Sequence, residues 1–210
     1  MKKHLRTFAL SAVALLAIAA FLSWPVAGWL EARECWAPGD ARVDAVYILA
    51  GNSDGARGRG VVAWLQGGGK TERILLPHDS MKGPWSRRDQ RNLTMGEWAL
   101  RRLTEALAEA GLDVPVEVVA ADMGGTDAEV ASVVRLVADR SDLGTVALAT
   151  SRFHVRRTHQ RAKKHFDDVP VMIPGVEKWY DRAPWVVGIE LLKMLRDRLG
   201  LTRVVRRRSE

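Results

Sequence analysis

The sequence predicts an α/β domain, a doubly wound and mostly parallel sheet of about five strands, preceded by one N-terminal transmembrane helix. Three observations carry this. Short runs that are apolar throughout, instead of at every second residue, alternate with amphipathic segments, the pattern of strands covered on both faces. With 210 residues, 47% of them hydrophobic, the chain can bury one sizeable core. Residues 8–30, FALSAVALLAIAAFLSWPVAGWL, carry no charge over a length that crosses a bilayer.

The elements follow in order. Residues 1–7 hold Lys2, Lys3 and Arg6 and form a basic cytoplasmic end. The span 8–30 is the anchor, with Trp24 and Trp29 suited to the far interface and Glu31 and Glu34 beyond it. This charge order puts the domain outside the inner membrane as a single-pass, periplasmic protein. A cleavable signal peptide ending near Val26-Ala27-Gly28 is the rival reading, and it exports the domain too. A linker, 31–41, contains Cys35, the sole cysteine, so an intramolecular disulfide is impossible and the thiol is either free or bridged to another chain.

The domain itself is read over 42–200. Strands are predicted at 44–50, 72–77, 115–121, 145–150 and 169–174 from their apolar runs. Helices are predicted at 57–67, 88–110, 127–140, 153–166 and 185–199, the second ending at Gly111 and the last beginning after Pro184. Residues 201–210 are a basic tail. The net charge of +7 gathers at the two chain ends. That distribution fits anionic lipid beside an apolar span and does not suggest nucleic acid.

In a sheet of this kind ligands bind beyond the carboxyl ends of the strands, so four loops matter. The first, GNSDGARGR at 51–59, offers Gly51 for close backbone approach, Asn52 as a polar end, and Arg57 or Arg59 at the next helix start. The second, PHDSMKGPWSRR at 77–88, is long enough for a lid, and His78 and Asp79 could act as an acid/base pair. The third, ADMGGTDAEVAS at 121–132, supplies Thr126 or Asp127 as a helix cap, and Glu129, a carboxylate in the loop layer that could take a proton or bind a metal or a ribose-like hydroxyl. The fourth, ATSRFHVRRT at 149–158, puts Ser151 at a cap position, with His154 and Arg157 three apart on one helical face and Arg152 and Arg156 splayed away. An imidazole relays protons and a guanidinium forks the oxygens of a phosphate or carboxylate.

Other chemistries find no footing. GGGKT at 67–71 imitates a phosphate loop, but Trp64 stands where its first glycine belongs, and the segment precedes a strand. No cysteine and histidine spacing suggests structural zinc, no nucleophile elbow occurs, and no cofactor is identified.

Four stretches together carry a resemblance: DAVYILAG followed by Arg57 or Arg59, AWLQGGGKTERILL, Glu129-Val130-Ala131, and ATSRFHVRRT, whose Thr150-Ser151-x-x-His154-x-x-Arg157 is the most specific part. Over about residues 42 to 200 the chain resembles the YdcF-like family, which includes the SanA and ElyC envelope proteins and is also called domain of unknown function 218. The resemblance implies a Rossmann-like domain behind one membrane anchor, with a part in envelope or cell-wall maintenance. Two departures stand out: Pro77-His78-Asp79 replaces Ser-Gly-Gly or Ser-Gly-Asp, and Glu129-Val130-Ala131 replaces Glu-Asn-Ala. They imply altered substrate choice or binding without turnover.

The expectation is therefore an enzyme, a hydrolase or transferase, acting on an anionic phosphorylated or lipid-linked envelope metabolite. His154 and Glu129 supply acid/base chemistry, and Gly51, Asn52, Arg57, Arg59, Ser151 and Arg157 hold the ligand. A non-catalytic module that binds an anion or scaffolds an envelope complex is the alternative.

Overall fold

The computed structural model describes residues 21–51, 55–178 and 180–199. Five strands form the central sheet: β1 (Arg42–Ile48), β2 (Lys70–Pro77), β5 (Val116–Val119), β6 (Val146–Thr150) and β7 (Met172–Pro174). Their spatial order is β5-β2-β1-β6-β7, and every neighbouring pair is parallel. Counted along the chain this is 3-2-1-4-5, the doubly wound order whose direction of winding reverses between β1 and β6.

Side chains leave a strand alternately to either face, so a strand covered twice must be apolar at every position. Ala45, Tyr47 and Leu49 turn to one face with Leu75 and Leu148, onto Val130 and Val133 of α4 (Thr126–Ala138) and Val155 and Ala162 of α5 (Val155–His165). Val46 and Ile48 turn to the other with Ile74, Leu76 and Ala147, onto Val61 and Trp64 of α2 (Ala56–Gln66) and Leu103 and Leu107 of α3 (Met95–Glu109). At Gly60 α2 meets the end of β7 so closely that a Cβ would overlap the Pro174 carbonyl oxygen and Gly175 Cα.

Two readings need correction. The stretch expected as a loop at 77–88 and a helix from 88 contains a hairpin, β3 (Lys82–Ser86) antiparallel to β4 (Arg91–Thr94), and α3 begins only at Met95. The reason is a capping box. Thr94 Oγ1 accepts from the Glu97 amide at 3.1 Å and the Glu97 carboxylate accepts from the Thr94 amide at 2.7 Å, which fixes the helix start. The segment expected as a linker is also not free. Residues 33–35 form a 3-10 turn, Trp36 bridges to Met172, and the Ala37 amide donates to the Met172 carbonyl at 2.8 Å, so this stretch runs along β7. Cys35 is half-buried against the core there, and burial pushes its thiol pKa up.

Of the expected anchor, residues 8–20 lie outside the described residues, as do the basic end 1–7 and the tail 201–210. Among the described residues no helix is long and apolar enough to cross a membrane. Residues 21–31 are helical (α1) and pack onto the domain, where Ala27 and Leu30 meet Val187 and Met194 of α6 (Pro184–Arg198).

Candidate functional site

A cavity of about 270 Å³ opens at the carboxyl edge of the sheet, where β1 and β6 part. Gly51, Arg57, Asp79, Glu129, His154 and Arg157 all line it. Four separate loops thus deliver titratable groups to one hollow, at the reversal point where such sheets bind ligands.

On the β1 side the groups hold one another. Gly51 adopts φ +83°, a left-handed conformation that glycine takes without strain, and turns the chain out of the sheet. Glu129, at the start of α4, is buried, and its Oε1 accepts from the Ala50 amide at 2.6 Å and from the Tyr47 hydroxyl at 3.2 Å. Burial raises its pKa, against the pull of the Ala50 amide and the Arg57 charge. Arg57 is buried too, donating to the carbonyls of Leu49, at 2.7 Å, and Ala50, and from Nε to Ser151 Oγ at 3.2 Å. Burial lowers its pKa to about 10, so it remains a cation at neutral pH.

On the β6 side the chain leaves Thr150 through a 3-10 turn, Arg152–His154, and α5 starts at Val155, later than a helix capped by Ser151 requires. The Ser151 side chain makes no cap bond because it accepts from Arg57. His154 Nδ1 lies 2.9 Å from Oε2 of Glu190 on α6, a carboxylate only 1% exposed. Arg157 Nε donates to Glu190 Oε1, its Nη1 to Thr126 Oγ1 at 3.1 Å, and its Nη2 lies 3.3 Å from His154 Nδ1. Among the described residues Glu190 Oε2 has no hydrogen-bond partner: the His154 Nδ1 contact is an ion-pair distance and not an aligned hydrogen bond, and the Lys193 ammonium is 3.7 Å away. Turned toward Oε2, a proton on His154 Nδ1 would supply that partner, in place of the bond Nδ1 accepts from Arg157 Nη2 in the other tautomer. That tautomer leaves Nε2 unprotonated.

The electrostatics agree with a neutral imidazole. Burial lowers the His154 pKa to about 4, with the Arg57 and Arg157 charges adding to it and Glu190 opposing. Burial pushes the Glu190 carboxyl up, but His154 and Arg157 outweigh it, and it stays below the usual carboxylate range. The expected partner of His154 was Glu129, whose Oε1 serves β1 instead. Glu190 takes that place.

The remaining expected residues divide. Asn52 lies outside the described residues. Of the two arginines Arg57 enters the site, while Arg59 is on the exposed side of α2. His78 and Asp79 do not face each other: Asp79 is buried at the cavity, accepting from the Met81 amide at 3.0 Å, and His78 is exposed. Adjacent residues in extended chain point to opposite sides. Asp127 binds Arg161 and His165, both at 3.2 Å, and lines the neighbouring hollow of about 380 Å³. Arg152 turns to Glu177 and Arg156 to Glu34, away from the cavity. Val130 is fully buried in the core and does not touch the site, whereas Asp79 lines it.

Arg57 and Arg157 line the cavity with two carboxylates, Asp79 and Glu129, and Glu190 pairs with Arg157 from behind, so no large positive field draws an anion in. What is available is the start of α4. Its cap residue is Gly125, which has no side chain to bond the first turn, and Gly125 and Thr126 line the cavity, so among the described residues the first amides stand open to an anionic oxygen. Among the described residues no three His, Cys, Asp or Glu side chains gather as metal ligands. Neither the protein-family models nor the curated proteins give a match to this chain.

Proposed function

We propose that this chain is a membrane-anchored enzyme of the YdcF-like kind, facing away from the cytoplasm and acting on an anionic envelope metabolite, phosphorylated or lipid-linked. One observation carries the reading: an imidazole lies 2.9 Å from a buried carboxylate at the mouth of a cavity at the winding reversal of the sheet. His154 Nε2 takes a proton from water or a hydroxyl, which then attacks, and returns it to the leaving group. Glu190 is a positioning residue that fixes the tautomer and favours the transient imidazolium. The amides opening α4, with Arg57 and Arg157, stabilise charge that develops on the anionic oxygens. Glu129 shapes the β1 loop by holding the Ala50 amide.

Full-length protein in detergent, offered pools of phosphorylated and lipid-linked envelope intermediates, should consume one of them. His154→Ala should lower turnover by a hundredfold or more while ligand-induced thermal stabilisation persists. Equal turnover by the two proteins sinks the proposal. The non-catalytic reading draws on the engagement of Arg157 by Glu190, Thr126 and His154, a fully braced cation better suited to a rigid binding wall. It expects stabilisation by a ligand that is never consumed.

A further inference from the structure

Helix α6 is built with its polarity reversed. An ordinary surface helix turns apolar residues inward and charge outward. Here the inner side carries Glu190 and Asp197 beside Val187 and Met194, whereas Trp185, Ile189, Leu192, Leu195 and Leu199 are exposed, Leu192 at 66%. Single exposed apolar residues are common, but a run along three turns of one helix marks an interaction surface. The adjoining α1 continues it. Ala27 and Leu30 are used against α6, and Phe21, Leu22 and Trp24 remain exposed.

We propose that the outer side of α6, with these α1 side chains, lies in the interface of a bilayer containing anionic lipid, a membrane contact additional to the anchor. Two features select lipid over a second copy of the chain. The apolar sequence 8–20 leads directly into α1, so the surface begins where that sequence ends. Arg196 rises from the stripe and pairs at its edge with Asp197 at 3.2 Å, Lys193 and Arg198 stand on the same helix, and Arg203, Arg206, Arg207 and Arg208 follow in the sequence. A protein interface would have to cover this half-exposed guanidinium and the cations around it, whereas at a membrane their stems lie on the apolar surface and their heads reach phosphates. The inference rests on the membrane part of the proposed function and is independent of the chemistry. Its consequence is orientation: α6 touches lipid with one side and the His154 network with the other, so the cavity stands about one helix diameter, ~10 Å, from the bilayer.

The test uses the full chain with Cys35→Ser, carrying Leu192→Cys or, as a second reading, Ile189→Cys, each labelled with a fluorophore. A label at Glu105→Cys on the exposed side of α3 is the control. In vesicles of phosphatidylcholine and phosphatidylglycerol containing nitroxide-bearing lipid, the labels at 192 and 189 should be quenched several-fold more than the label at 105. Equal quenching in vesicle-bound protein overturns the proposal and leaves the anchor standing. Failure of the full chain to associate with vesicles overturns both. Concentration-dependent shielding of position 192 without lipid assigns the face to a second copy and also overturns it.

Discussion

The molecule carries two ionic clusters of similar composition in opposite settings. On the surface before β6, Arg140 pairs with Glu117 at 2.6 Å and Asp142 at 2.8 Å, and Arg73 reaches Asp142 at 2.6 Å. Beside the cavity, Glu190 gathers Arg157 and His154 almost out of contact with water. In the first, water screens the charges, so the pairs add little to stability. In the second, desolvation is costly and the partners must offset it, so each group depends on the others, and burial lowers the pKa of His154 to about 4 in spite of Glu190. Burial, and not the residue types, separates a structural decoration from a site able to do chemistry.

The largest effect should come from breaking the buried cluster. Glu190→Ala leaves Arg157 without its main carboxylate in a dry setting and should cost about 3–5 kcal/mol in denaturant unfolding. A loss no greater than that of a surface variant would erase the distinction. Next comes acidity. The unfolded chain binds a proton on His154 near pH 6.5 and the folded chain near 4, so stability rises with pH across that window and is lost on acidification, by up to ~3 kcal/mol. Carboxylates add their own loss at lower pH, so the histidine part is the difference between wild type and His154→Gln, whose curve should be flatter between those limits. Identical curves would mean the imidazole is not desolvated. The smallest effect belongs to Asp142→Ala, which should leave the melting temperature near that of wild type at physiological salt.

Much of the fold was legible because burial on two faces writes itself as unbroken apolar runs such as VYIL at 46–49 and VALA at 146–149. The hairpin was not. KGPWS and RNLT lack alternation, and the one available signal, Thr94 followed by Glu97, marks the start of α3. In the site, the expected spacing of His154 and Arg157 is matched by a direct contact between them. Glu190 went unread because periodicity identifies an apolar side of a helix and not which side faces in. In α6 the carboxylate sits among Ile189, Leu191 and Leu192, and only the tertiary structure shows that the polar side is the buried one.

The tight contact at Gly60 reaches further than packing. Arg57 sits one turn earlier on the same helix, and the Ala56 carbonyl accepts from the Val176 amide at 3.0 Å, so the start of α2 is clamped against the chain leaving β7. The depth of the innermost guanidinium is therefore set by the absence of a methyl group elsewhere. A single added carbon at position 60 would act as a shim, tilting the helix and lifting that cation out of its seat while every group named in the cavity kept its chemical identity.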